Sequence, residues 1–471
     1  MTKRKVLKLT PVLVTLNILV LLIIVAFYTT RLIKYYLLEN GPVDEDTVIL
    51  LVDEIKKKQS YLDETKGLVL DEESNMYRYK GDVDDNYVLY SGMLYRIVAI
   101  DNENNIRLVS EDNITLLYPG LNNGYEKSFV NKWLNKSDEE HSGIYEDELI
   151  NSDGLLTETY MCSDAIDDVS NITCDNYYME KKITLLSLHD YKEAGGKNSY
   201  LNNGEMYYFG TLNSANQQYF ITEDGEIALN KKSSKVISVK PVITLNSETP
   251  LIEGNGKKDN PYIIEKHEVK NSGNLYINDI VKLNNLKYKV VEVNEDKVKL
   301  ALVGVLKDKE ENLNIAFGGS SSAYGTGNNT VGGYLNSTYL DTIDLKDSIV
   351  ESEWYTGKLQ LSSLDYANVY NNNSKAKIGM LTLGDFYVHD EKNIFTLLRG
   401  MEANNIINVI NKDGIVFGDR VSSKYNVRPA FYIKSDLIIT KGKGTDDEPY
   451  ELGVNNGEKE NKENESKGKE E

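Results

Sequence analysis

Cys162 and Cys174 stand with eleven residues between them, Asp164, Asp167 and Asp168 among these. Residues of these types at this spacing suit three chemistries. Two thiols across so short a loop can form a disulfide, which contributes about 3 kcal/mol in the chain-entropy model. Left free, the pair would be a redox or nucleophilic site. The three carboxylates on an irregular loop are the donor type that calcium takes. No Asp-x-Asp-x-Asp-Gly pattern accompanies them, and solvated charge is the plain alternative in a chain with 73 acidic residues. The disulfide is the expected state of Cys162 and Cys174, a loop staple. Two isolated cysteines without a neighbouring His or second Cys pair do not make a zinc site.

The remaining candidates are thinner. His141, His189, His267 and His389 show no His-x-x-x-His spacing, so a zinc hydrolase is not expected. The stretch "GGSSSAYGTG", Gly318 to Gly327, lacks the Gly-Lys-Ser/Thr ending of a phosphate loop and reads as a surface loop. Asp224-Gly225 and Asp413-Gly414 are ordinary hairpin turns. Trp133, Trp354 and the 33 Tyr could stack on sugar rings, but Trp133 lies in an apolar-periodic block and reads as core. No catalytic, cofactor-binding or metal-ligating residue is assigned. No cofactor is expected, calcium being the one ion the acidic loop could hold.

What must position these residues is a duplicated scaffold. "GMLYRIVAIDNENNIRLVS" answers "NLKYKVVEVNEDKVKLALV", pairing Tyr95 with Tyr288 and Arg96 with Lys289. Trp133-Leu134-Asn135 answers Tyr334-Leu335-Asn336, and Lys182-Ile183 answers Lys377-Ile378. Asp190-Tyr191 answers Asp385-Phe386, in what reads as a strand running into a short helix. Lys240-Pro241 answers Arg428-Pro429, 188 residues on, and each is followed by an alternating run, Gly-x-Gly and Pro-Tyr. Order and spacing are kept throughout, so two tandem copies of one domain are expected. Alternation with Asn/Asp turns points to β-hairpins.

At 471 residues the chain exceeds one ordinary domain. Its net charge of −20 disfavours a nucleic-acid partner. From Leu9 to Thr30 no residue is charged, and Lys3, Arg4, Lys5 and Lys8 precede that run. This predicts a transmembrane helix over 9–30, with a cytoplasmic basic segment at 1–8 and everything after it extracellular. A juxtamembrane stalk with a short helix follows at 31–66. Repeat domain 1 is placed at 67–264, a linker at 265–274 and repeat domain 2 at 275–453. A charged, disordered tail closes the chain at 454–471.

The blocks Asn86-Tyr87-Val88, Tyr95-Arg96-Ile97-Val98, "WLN", "ITLLSLHDY", the Asp-Gly hairpin and "G-x-G…PY" resemble a domain of unknown function in surface proteins of low-GC Gram-positive bacteria. The resemblance covers about residues 67–453. It implies an irregular α+β fold like C-type-lectin-like and formylglycine-generating-enzyme-like domains. The expected fold class is therefore α+β, an N-terminal transmembrane helix followed by two tandem copies of a β-rich, C-type-lectin-like domain. The expected function is ligand binding or adhesion at the bacterial cell membrane, toward a glycan or a surface protein. The alternatives are an envelope scaffold and a formylglycine-generating-type enzyme, which would need Cys162 and Cys174 as reactive thiols.

Overall fold

In a computed structural model, residues 48–454 are described apart from 73–74, 121–123, 138–141, 150–151, 232–234, 320–323, 328–329, 358–372 and 400–404. Strands take 39% of the chain and helices 14%. That ratio corrects the α+β expectation to a mostly β fold, since average domains carry more helix than strand. No α-helix among the described residues exceeds six residues. Alternating Val, Ile and Tyr between Asn- and Gly-rich turns leave no segment long enough for more. The expected transmembrane helix is corrected as well: among the described residues no helix is long and apolar enough to cross a membrane. The span 9–30, the basic segment 1–8 and the tail beyond Val454 lie outside the described residues.

The two halves of the chain build the same pair of sheets. In the first half the large sheet runs in spatial order Gly67–Asp71, Met76–Lys80, Met93–Ile100, Ile106–Ser110, Pro241–Leu245 and Ile183–Leu185. Tyr87–Tyr90 folds back on Met93–Ile100, and Tyr262–Ile263 adds to it in parallel. In the second half Leu286–Val293, Lys297–Leu302, Pro429–Lys434 and Ile378–Met380 repeat the central order. Ile280–Leu283 takes the place of Tyr87–Tyr90, with Tyr450–Gly453 parallel to it. Both long strands carry a register shift at the same point, between Ile97 and Ala99 and between Val290 and Glu292. The smaller five-stranded sheets match too, each with its one parallel pair in the same place, Tyr207 with Ser238 and Ile394 with Asn426.

The Gly-x-Gly segments have a geometric cause. Gly254 and Gly442 hold φ at 99° and 94°, where a Cβ would come within 1.8 Å of Pro261 O and 2.1 Å of Pro449 O. Only glycine admits that approach at that φ. Gly256 and Gly444 then accept from Tyr87 N and Ile280 N, each at 2.8 Å, which ties the end of each half to the matching strands Tyr87–Tyr90 and Ile280–Leu283.

The halves are not separate beads. Contacts group the described residues from Leu50 onward into one compact unit. Gly384 N donates to Leu116 O and Tyr387 N to Ile114 O, so a loop of the second half adds to a strand edge of the first. Trp133, fully buried, donates Nε1 to Gly384 O at 3.1 Å and packs on Phe386 at 5.4 Å. Asp385 follows Gly384 (φ 89°), where the first half has a helix, Leu188–Glu193. Glycine breaks that turn and frees the loop for the junction. The segment 265–274 is also held: His267 stacks on Tyr276 and Ser272 N donates to Leu437 O. The expected stalk helix shortens to Leu51–Lys56, which buries Leu51, Val52 and Ile55 instead of standing free.

Candidate functional site

Each half is locked by one polar network. Asn135 Nδ2 donates to Ile183 O at 2.8 Å and Oδ1 accepts from Ile183 N at 3.0 Å. Asn336 and Ile378 repeat the pair at the same two distances. Tyr95 and Tyr145 share a hydroxyl bond of 2.6 Å, Tyr288 and Tyr339 one of 2.8 Å. Beside these lies a buried ion pair. Arg107 forks onto Asp190, and Lys299, at the matching position, binds Asp385 at 2.6 Å. Burial opposes ionisation of Asp190, but Arg107 and Arg78 outweigh it and hold the carboxyl well below the usual range. Duplication of these contacts marks them as framework.

The halves diverge at their junction, and there a cleft of about 790 Å³ opens. The first half contributes Ser142, Ile144, Asp147 and Glu148, from the short helix Ile144–Glu148 and the turn before it. The second half contributes the strand segment around Glu292, the hairpin strand Ser352–Tyr355 and the loop through Asp385. Lys299 is buried, 3.6 Å from Glu292 and bonded to Asp385. Burial would lower its pKa, but the two carboxylates raise it. Glu292 is further held by the Tyr432 hydroxyl at 2.8 Å and by Asn294 at 2.6 Å. Glu148 is less well served: its Oε2 accepts from Val293 N at a long 3.4 Å. Burial first, and then the charge of Glu292, push its pKa well above the carboxylate range. The ring of Trp354 is buried beneath Lys299, and Lys297 and Lys299 both lie over Tyr432. The cleft therefore presents charges and amides rather than a bare aromatic face.

A second groove of about 650 Å³ continues from it past Asp147, Glu148 and Asn294 toward His267 and Tyr276.

The residues singled out from sequence fall elsewhere. Cys162 and Cys174 form a disulfide, with Cα atoms 5.7 Å apart, in the loop of a hairpin. Asp164, Asp167 and Asp168 do not converge. Asp164 accepts from Asp175 N and Asn176, Asp167 from Ser214, and Asp168 from Ser170. Cys162, Cys174 and Asp164 do cluster, but the sulfurs are bonded to each other. Asp413-Gly414 and Asp224-Gly225 occupy hairpin turns, with Gly φ of 76° and 77°. His389 is part of the polar junction, its pKa lowered to about 4 by burial, while His141 and residues 320–323 of the glycine-rich loop lie outside the described residues. Lys240 and Arg428, matched in sequence, differ. Arg428 donates to Leu302 O and Tyr387 O. Lys240 is buried with the Tyr207 ring beneath its ammonium, and burial, partly offset by Glu111, lowers its pKa to about 8.

Glu148, Glu292 and Lys299 escaped sequence reasoning. One signal was present: where the first copy has Ala99, the second has Glu292. No protein-family model matches the chain, and neither a curated protein nor a solved structure matches it.

Proposed function

We propose that the protein is a binding protein of the bacterial cell exterior, and that the cleft between its two halves is the ligand site. One observation carries this reading. The cleft needs both copies, opens where the duplicated framework stops repeating, and is lined by charged groups, of which Glu148 is met by Val293 N at a long 3.4 Å. Its volume falls in the range of sites that take a small ligand or a peptide segment. Of the two ligand classes expected, a protein or peptide suits it better than a glycan, because Trp354 and Tyr432, which could stack on a sugar, are buried. The disulfide fits an oxidising compartment, as does the resemblance to bacterial surface domains. It also disfavours the enzyme alternative, whose two thiols are joined.

The test is binding of the full-length protein to panels of peptides, surface proteins and glycans, repeated with Asn294→Trp, which fills the cleft mouth from an exposed position. Saturable binding that Asn294→Trp abolishes supports the cleft. Binding that the variant leaves intact places the ligand elsewhere, and a folded protein that binds nothing favours the scaffold reading.

A further inference from the structure

The first half supplies a template for what the second half lacks. There, Met76–Lys80 pairs antiparallel with the end of the long strand, Tyr77 against Ile100 and Arg78 against Ala99. Arg78 thereby stands in a cross-strand row with Ala99 and Arg107, and its Nη1 lies 3.9 Å from Asp190. In the second half the corresponding row is Glu292, Lys299 and Tyr432. No strand among the described residues pairs with Glu292 and Val293 on the open side. That free edge lines both grooves of the junction, and among the described residues Val293 N is met by Glu148 alone, at 3.4 Å. An unpaired edge beside a cavity is a place for strand addition.

Resting on the cleft as the ligand site, we propose that it receives an extended peptide that adds as a strand to Glu292–Val293 and sets a basic side chain beside Glu292, where Arg78 stands in the first half. The main chain of the peptide replaces the long Glu148 contact with a ladder bond. Its basic group completes an acid-rich corner in which Lys299 alone faces Asp385 and Glu292. Opposite charges directly across a ladder attract, and the peptide's cation also offsets the crowding of Glu148 and Glu292. A protein of net charge −20 draws a basic segment toward it.

The probe is a synthetic peptide with the sequence of residues 75–81, NMYRYKG, added to the full-length protein together with a library of extended basic peptides. Saturable binding is expected, weakened about tenfold or more by Glu292→Lys and by replacing the peptide Arg with Gln. Backbone N-methylation of the peptide should abolish it, with no change to the protein at all. Thermal melts check that Glu292→Lys remains folded. Two outcomes overturn the inference. If ligands bind in a manner blocked by Asn294→Trp yet indifferent to N-methylation and to peptide charge, strand addition is wrong and the cleft remains the site. If neither NMYRYKG nor any library or panel member binds in a cleft-dependent way, both readings fail.

Discussion

Arg78 and Asp190 meet across the first sheet, Nη1 to Oδ1 at 3.9 Å, so that Asp190 sits between two guanidiniums while its counterpart Asp385 has Lys299 as its one ion-pair partner among the described residues. The first half is thus closed where the second is open, on one shared framework. Because Arg107 is the nearer partner, Arg107→Met should leave a buried carboxylate poorly compensated and cost about 3–5 kcal/mol in denaturant unfolding. The sign of the pH effect follows from the depressed carboxyl. Asp190 contributes stability that is complete above the ordinary carboxylate pKa of 3.8 and is lost as pH falls through its lower folded value. Acid unfolding of the wild type should therefore steepen below about pH 4, and Arg107→Met should weaken that steepening.

Asn135 and Asn336 each satisfy the backbone of one isoleucine in both directions. Replacing Asn135 by Ala strands the Ile183 donor and acceptor beside the core; replacing Asn336 strands the Ile378 donor, while Ile378 O keeps the Tyr324 hydroxyl. A loss of about 2–4 kcal/mol is expected for each variant by chemical denaturation. Since the halves share one contact unit, a single transition rather than two should be seen in both variants.

The legible part of this chain is the part written twice. The glycines before Pro261 and Pro449 and the paired Asn-Ile blocks are dictated by local backbone demands, and such demands leave the same residue types at the same spacing. The β-rich character could be read for the same reason, and the Cys162–Cys174 disulfide, which occurs in the first half alone, from the short spacing of the two cysteines. The helical share was overread because Ser187–Glu193 caps a true helix, with a capping box, while the matching second-half loop breaks at Gly384. The cleft was not legible. It depends on Trp133 meeting a loop more than 250 residues away and on the absence of a strand beside Glu292, and neither leaves a local pattern.

Lys240 carries a charge into the first half without a hydrogen-bond partner among the described contacts, where Arg428 has two. Burial lowers its pKa to about 8, below the 10.5 of an ordinary lysine. Between those values the unfolded chain binds a proton that the folded chain does not, so stability should rise with pH across that window. Lys240→Met should remove this slope and stabilise the protein at neutral pH by on the order of 2–3 kcal/mol. Unfolding free energies at several pH values, wild type against variant, check both statements.

Glu148 works in the opposite direction. Its folded pKa is raised, so its contribution is complete below the ordinary glutamate value of 4.5 and declines as pH rises through the folded value. Glu148→Gln should flatten that decline and leave acid-side stability nearly unchanged. A basic ligand in the cleft favours the charged form, so its binding to the wild type should release protons at any pH where Glu148 is still partly protonated. Calorimetry in buffers of different ionisation enthalpy reads that release, which Glu148→Gln should abolish.

The most direct measurement is amide hydrogen exchange on the full-length protein, alone and with saturating NMYRYKG. Slower exchange confined to Val291–Glu295 and the facing Ile144–Glu148 helix, with Met93–Ile100 unchanged, is the expected result. Protection that falls only outside those two segments, or none at saturation, would contradict a ligand site between the halves.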